Sequence, residues 1–425
     1  MNRVSKDLIY QFSVQVEEFR GGCIRNRFEV WSSLTSDPEI LQTVSGLPID
    51  LIGEVPETNS FQYPLSKEGT EFLQKEIQRL LIKGIIIRSY HEEGELISPI
   101  FLRPKSDGDG FRLILNLKRL NEVSEYHHFK METLKSILTL VYPGVYMMKL
   151  DIKDAYYSVY INKVDQKLLK FQFMDTLYQF VALPNGYTGG PRKFTKLLKP
   201  VLATLRKKGI SLAAYLDDLI IFGASFLECW TNFLDTVELL RSLGFVIHPK
   251  KTTFMPSTCI EFLGFIVDSI LMTVALTLEK KRHIIGMCDE IIHGSSSSSI
   301  RDIAKLLGKI SSSFIGVPLG RLHHRHLEKA KTCSLKRTRG NYDGRINLTH
   351  EAYEEIYWWK NNITEASSPI LRGNPDLVLS TDASSYGWGA AIDDLETGGL
   401  LTEEEKELHI NILECRAVLF GLQSL

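Results

Sequence analysis

The chain has 425 residues, 44% of them hydrophobic and 24% charged, with a formal net charge of −1. That length is more than one hydrophobic core and predicts about two to four domains, and the apolar share excludes a disordered chain. A near-zero net charge excludes a uniformly basic nucleic-acid coat, but not a local basic groove such as GRLHHRHLEKAKTCSLKRTRG from Gly320 to Gly340. The six cysteines, Cys23, Cys229, Cys259, Cys288, Cys333 and Cys415, are scattered and form no CxxC pair. This predicts a reduced intracellular compartment, with neither a disulfide frame nor a zinc site. The N-terminus has no long apolar run, so no signal peptide is expected. The longest apolar stretches are strand-length, so no membrane span is expected.

Residues 1–50 have no clean period and read as an N-terminal extension of unclear order. PLSKEGTEFLQKEIQRLLIKG reads as a helix with Ser66 as N-cap and Gly84 as its stop. ISPIFLRPK and FRLILNLKRLNEV flank SDGDG, which predicts a hairpin presenting Lys105 and Arg112. VYMMKLD is a strand ending on Asp151, and a helix is expected from Tyr156. GGPRKFTKLLKPVLATLRKKG is a helix, SLAAYLDDLIIFG a tight hairpin, and FLECWTNFLDTVELLRSLGF an amphipathic helix closed by Gly244. VIHPKKTTF and IEFLGFIVD read as strands. After about residue 276 the pattern becomes helical, with a serine run at 295–299, up to Trp359. DLVLSTDASSYGWGAAID is a fresh strand pair and HINILECRAVLFGLQSL a helix. Strands and helices mix without a regular βαβ repeat, which predicts an α+β fold.

Two apolar strands carry carboxylates at their ends: Asp151 on the first, Asp217 and Asp218 at the turn of the second hairpin. A buried carboxylate must be paired or must hold a metal. Asp-Asp alone is an ordinary turn signal. Two strand-embedded sites, with Tyr215 ahead of the pair and Asp154 after Asp151, point instead to a donor set for two Mg²⁺ ions about 3.5–4 Å apart, which serves nucleotidyl transfer.

At these residues the chain resembles a reverse transcriptase. YLDD at 215–218 is similar to that family's Y-x-D-D hairpin, and LDIKDAYYSV to its first catalytic strand. The resemblance implies that Asp151, Asp217 and Asp218 form the metal site, with two Mg²⁺ ions and Mn²⁺ as the alternative. ALPNGYTGGPRKF matches the loop beneath the incoming nucleotide, with Asn185 where Gln or Phe is more usual, followed by Gly186. Lys105 and Arg112 are implied to bind the triphosphate. Asp154 and Ala155 are implied to line the nucleotide site, and Tyr156 to exclude a ribose 2′-hydroxyl. Lys251 is implied to protonate the leaving pyrophosphate, with Lys250 the lesser candidate. Phe262, Leu263 and Gly264, in EFLGF, are implied to grip the primer, though core packing would also explain them. STDASSYGWGA with Asp382 and HINILECRAV with Glu414 resemble the first half of a ribonuclease H domain, half of a four-carboxylate site.

The resemblance implies a right-hand polymerase followed by a partial ribonuclease H-like α/β segment. Its expected divisions are an extension at 1–50, fingers at 51–143, palm with returning finger material at 144–270, thumb at 271–340, connection at 341–375 and a truncated ribonuclease H-like domain at 376–425. The implied reaction is RNA-directed DNA polymerisation: a primer on an RNA or DNA template is extended with dNTPs, without ribonuclease H activity. VPLGRLHHRHLEKAK, the Trp358–Trp359 pair and HINILE look most like the tyrosine-recombinase (DIRS-type) retrotransposons. Two alternatives are an RNA-dependent RNA polymerase, which Tyr156 argues against, and a degenerate element remnant that binds nucleic acid without catalysis. His323, His324, His326 and Cys333 suggest zinc, but one helix face cannot present all four, and a basic face with Arg321 and Arg325 is the better reading.

Overall fold

The computed structural model describes residues 3–55, 63–104, 111–294, 298–370 and 377–424. The chain divides into two units, 1–370 and 371–425.

The first unit opens with three helices, α1 (Arg3–Glu18), α2 (Phe28–Leu34) and α3 (Pro38–Gly46). Here the structure corrects the sequence reading of a loose extension. Phe12, Phe19, Ile24, Trp31, Val44 and Leu47 are buried in the same core as the catalytic strand. Trp31 Nε1 donates to the Leu243 carbonyl at 3.1 Å. Helices α2 and α3 have only 7 and 9 residues, too short to repeat an apolar face more than once or twice.

Helix α4 (Lys67–Ile82) starts at Ser66, whose hydroxyl accepts from the Gly69 amide, and buries Leu73, Ile77 and Leu80. Strand β1 (Ile86–Arg88) follows. Strands β2 (Ile100–Pro104) and β3 (Phe111–Leu115) pair antiparallel, with Arg103 opposite Arg112. Short helices α5 (Lys118–Glu122) and α6 (Leu134–Leu138) lead to β4 (Tyr146–Asp151). The helix expected from Tyr156 is a single 3₁₀ turn, Tyr156–Ser158. Strands β5 (Lys170–Phe173) and β6 (Thr176–Phe180) form a sheet with β1.

Helix α7 (Gly190–Lys207) precedes the hairpin of β7 (Leu212–Tyr215) and β8 (Asp218–Gly223), which joins β4 in the order β4-β8-β7. Helix α8 (Phe226–Ser242) packs on β8 and β4. The segment 246–254, read as a strand from its sequence, is irregular, as is its continuation to 257. It bonds the free edge of β4 through the Thr253 and Ser257 amides, which donate to the Lys149 and Met147 carbonyls. Pro249 and the turn through Lys250 and Lys251 prevent a continuous ladder.

Strands β9 (Cys259–Phe262), β10 (Phe265–Asp268) and β11 (Thr273–Leu276) form a meander, joined at its edge by β12 (Ser367–Pro369). Between β11 and β12 lie α9 (Leu278–His293), α10 (Ile300–Ser311), α11 (Arg325–Arg337) and α12 (His350–Asn362). Their apolar faces share one core with Met147, Ala213, Ile220 and Phe222 of the palm sheet. No break falls near residue 340, because α12 packs against both α9 and α11. The histidines of the basic run are used structurally: His323 stacks on Trp358 at 4.0 Å, and the His326 amide donates to Glu355 at 2.9 Å.

The second unit is a three-stranded antiparallel sheet of β13 (Leu379–Ala383), β14 (Gly387–Ile392) and β15 (Leu395–Leu400), followed by α13 (Glu403–Lys406) and α14 (Ile410–Ser424). Helix α14 lies against β13 and β14, with Trp388 and Phe420 5.2 Å apart. Asp382 is an exposed residue of β13, and Glu414 is half-buried on α14. The mixture of helices and meandering sheets is α+β, as expected.

Candidate active site

Strand β4 runs between β8 and the irregular segment 246–257, so Asp151 emerges at the end of a strand bonded on both sides. Its amide donates to Thr252 Oγ1 at 3.2 Å, and its carbonyl accepts from the His248 amide at 2.8 Å. Asp151 stands directly opposite Asp218 in the β4–β8 register. The β7–β8 hairpin turns through Leu216 and Asp217, with Tyr215 opposite Asp218. Leu216 has φ 55, a left-handed conformation costly for a branched side chain and typical of turns kept for function. The Asp217 carbonyl accepts from the Ile152 amide at 2.9 Å, which ties the turn to the end of β4. Fold and register therefore bring Asp151 to the adjacent pair Asp217 and Asp218, although it lies far from them in sequence.

Burial pushes the Asp151 carboxyl up to about 6, with Lys251 pulling it down and the Asp218 and Asp217 charges pushing it up. Burial also raises Asp217, against its own backbone amide, and Asp218 adds to the rise. Two lysines answer this charge. Lys251 Nζ is 3.6 Å from Asp151, and Lys149 Nζ is 3.2 Å from Asp218. Lys149 was missed in the sequence, although it sits two residues before Asp151 and so on the same face of β4. Between Lys251 and Lys153, His248 is pushed down to about 4, chiefly by burial.

Among the described residues, no group of three or more His, Cys, Asp or Glu side chains is arranged to hold a metal ion as it stands. The donor chemistry nevertheless fits a hard divalent cation. Asp218 Oδ1 is enclosed and has no aligned hydrogen-bond donor, a state that a bound cation would relieve.

Around this centre lie the other expected residues. Asp154 has φ 50, and its carboxylate turns away from the acidic cluster toward Arg79, Lys83 and Lys153. It can therefore serve a nucleotide only through its backbone. Among the described residues, no main-chain acceptor takes the amides of residues 154–157. Successive free N–H groups beside a left-handed residue make a concavity suited to phosphate. Ala155 is buried there. Tyr156 lies against Phe194 with ring centres 5.5 Å apart, and burial and Asp217 raise its hydroxyl above the ordinary tyrosine range.

Asn185 reaches the hydroxyl of the half-buried Tyr157. Gly186 has φ 107, and a Cβ there would sit 3.1 Å from the Leu115 carbonyl, so only glycine fits. Asn121, also missed in the sequence, fastens this loop: its amide donates to the Gly186 carbonyl at 2.9 Å and its carbonyl accepts from the Thr188 amide at 2.8 Å. Arg112 is exposed on β3, while Lys105 lies outside the described residues. Phe262 is buried in the core, whereas Leu263 and Gly264, at φ 51 and φ 74, form the tip of the β9–β10 hairpin. Of that trio, only the tip could meet a strand. Asp382 and Glu414 belong to the second unit and are described within it.

Residues 104–267 match the family model described as reverse transcriptase (RNA-dependent DNA polymerase). A Drosophila melanogaster retrovirus-related Pol polyprotein from transposon opus is 25% identical over 49% of this chain and 20% of its own length. The Transposon Tf2-3 polyprotein of Schizosaccharomyces pombe is 22% identical over 87% of this chain and 26% of its own length. The chain thus spans about a quarter or less of the curated relatives it matches. Among solved structures, a foamy viral protease–reverse transcriptase in complex with double-stranded DNA has a TM-score of 0.64 at 20% identity, over 88% of this chain and 64% of that one. The same viral protein in complex with an RNA/DNA hybrid has a TM-score of 0.63 at 19% identity, over 89% of this chain and 49% of that one. These likenesses give the fold, a right-hand polymerase. With the family match over 104–267 and the acidic hairpin in place, this part of the chain is similar to the reverse transcriptase domains of retrotransposon polyproteins.

Proposed function

We propose that the chain is an RNA-directed DNA polymerase that extends a primer 3′-hydroxyl with dNTPs on an RNA or DNA template. The observation that carries this reading is the pairing of Asp151 opposite Asp218, with Asp217 at the adjoining turn. Asp151 and Asp217 would hold two Mg²⁺ ions, with Asp218 beside them. The ions would supply charge neutralisation for the attacking and leaving oxygens.

The chain's own residues do the rest. The free amides of 154–157, with Arg112 and Lys105, take the triphosphate. Tyr156 lies below the sugar and leaves no room for a 2′-hydroxyl. Asn185 and Gly186 shape the floor of the site. The 3′-oxygen bonds to the α-phosphorus as the bridge to the β-phosphate breaks. Lys251, exposed and 3.6 Å from Asp151, gives a proton to the departing pyrophosphate. The Leu263–Gly264 tip would meet the primer strand. Among the described residues, no helix is long and apolar enough to cross a membrane.

We assign the chain to the DIRS-type elements on the strength of VPLGRLHHRHLEKAK, Trp358–Trp359 and HINILE. We read 377–424 as ribonuclease H-like, with Asp382 and Glu414 as two of the four carboxylates that the resemblance calls for. A labelled RNA–DNA hybrid incubated with Mg²⁺ tests that point; cleavage unchanged in Asp382→Asn would refute the role of Asp382. Primer extension on an RNA template, with dNTPs against NTPs, tests the main reading. Preferred NTP use would indicate an RNA polymerase, and no extension with retained template binding would indicate a degenerate remnant.

A further inference from the structure

We propose that Arg79 and Lys83 of α4 are positioning residues for sugar selection: through Asp154 they clamp the turn that presents Tyr156. The inference rests on the reading of Tyr156 as the sugar contact.

Asp154 lies between Asp151 and Tyr156 in a left-handed conformation, φ 50. Such a residue persists only where its surroundings over-determine it. Here the surroundings are cationic. Arg79 Nη1 and Lys83 Nζ each stand 3.9 Å from Asp154 Oδ2, and Lys153 Nζ stands 3.4 Å from Oδ1. Oδ2 is enclosed and has no hydrogen-bond partner, so the carboxylate is held by charge rather than by aligned donors. The side chain is only 12% exposed, which limits solvent screening.

The two α4 cations are themselves fixed. Arg79 is bidentate to Glu76, with both contacts at 2.8 Å. Lys83 donates to the Val16 carbonyl at 3.0 Å and sits 5.4 Å from the centre of the Phe19 ring. The clamp therefore runs from α1 and α4 to the turn after β4. A second strut leaves the same cluster. Tyr157 stacks on Phe180, faces Glu76 and Arg79, and reaches Asn185 with its hydroxyl. One set of charges on α4 thus backs both the sugar contact and the loop under the nucleotide. With the clamp loosened, the turn relaxes, Tyr156 recedes and the ribose 2′-hydroxyl is tolerated.

The test uses the full chain and the double variant Arg79→Gln/Lys83→Gln, with Arg79→Lys as the conservative control. The ratio of kcat/KM for dNTP over NTP is measured, together with Tm. The double variant should lose selectivity on the order of tenfold, with KM for dNTP raised and kcat within about threefold of wild type, and Arg79→Lys should keep the ratio within about twofold. A merely structural role would lower Tm and leave the ratio unmoved, which overturns the proposal. If the double variant does not fold, Lys83→Gln alone must lower the ratio at least about threefold, and an unchanged ratio there overturns it equally. Wild-type chain that extends no primer would sink the polymerase reading itself. Wild-type chain that extends primers without sugar preference would sink the assignment of Tyr156.

Discussion

Asp151 and Asp218 face each other across β4 and β8, one residue from the turn that carries Asp217. Left alone, three carboxylates so placed would repel one another and resist ionisation. The chain answers with Lys251 and Lys149, each close to one of the facing pair. The site is built for positive charge and is held ready by its own side chains.

Replacing Asp217 by Asn removes a charge and a donor with little change in volume. Primer extension should fall on the order of 10³-fold, which corresponds to the loss of several kcal/mol of transition-state stabilisation. Secondary structure should hold and Tm should not fall, since Asp217 lies in a turn and its backbone contact to Ile152 does not depend on the side chain. Activity within about tenfold of wild type would reduce Asp217 to a turn residue.

The raised Asp151 predicts a pH dependence for the metal-free chain. Its folded value, about 6, lies above the ordinary 3.8. Below 3.8 both folded and unfolded states hold the proton and nothing is lost. Between the two values the unfolded chain releases its proton first, so stability falls as pH rises through that window. The loss is on the order of 2–3 kcal/mol, and Asp217 adds to it in the same direction. Urea titrations at pH 4 and pH 6.5 should show the decline, and Asp151→Asn should flatten it. Added Mg²⁺ should restore stability at the higher pH in wild type and much less in the variant. A flat profile in wild type would mean that the carboxylate is better solvated than its burial implies.

Tyr156→Ala removes the ring below the sugar. Discrimination between dNTP and NTP should drop by on the order of 10²-fold, mainly through faster ribonucleotide use. Loss of the Phe194 contact should also cost stability, about 2–4 kcal/mol. An unchanged ratio with lowered Tm would make Tyr156 an ordinary core residue.

The sequence made the carboxylates legible because each closes an apolar run of strand length, and a charge there needs a reason. The Tyr215–Asp218 hairpin and the helices α4, α7 and α8 were legible from period, caps and glycine stops. What depended on long-range pairing was not. The direct opposition of Asp151 and Asp218 is a matter of register, and Thr252 meets Asp151 only because an irregular segment lies along the edge of β4. Asp154 read as a nucleotide ligand because of its place in the motif, yet its side chain is claimed by α4. Helices α2 and α3 read as loose because each is too short to repeat its pattern, although Trp31 and Val44 are fully buried.

Gly186 tests whether the loop under the nucleotide must hold its present course. Its φ of 107 lies where an L side chain is strained, and an added Cβ would press within 3.1 Å of the Leu115 carbonyl, a backbone atom that cannot swing aside. Gly186→Ala therefore has two costs, backbone strain and a clash, together on the order of 1–3 kcal/mol. Part of that cost can be relieved by shifting the loop, but Asn121 bonds both Gly186 and Thr188 and opposes the shift. The strain should then reach Asn185, one residue earlier, and with it the floor of the nucleotide site. KM for dNTP should rise on the order of tenfold while the Mg²⁺ requirement stays as it was. Adding Asn121→Ala should free the loop and recover part of the lost affinity, a coupling that two independent sites would not show. If the two substitutions prove additive, Asn121 does not govern the loop, and Gly186 matters for local backbone geometry alone.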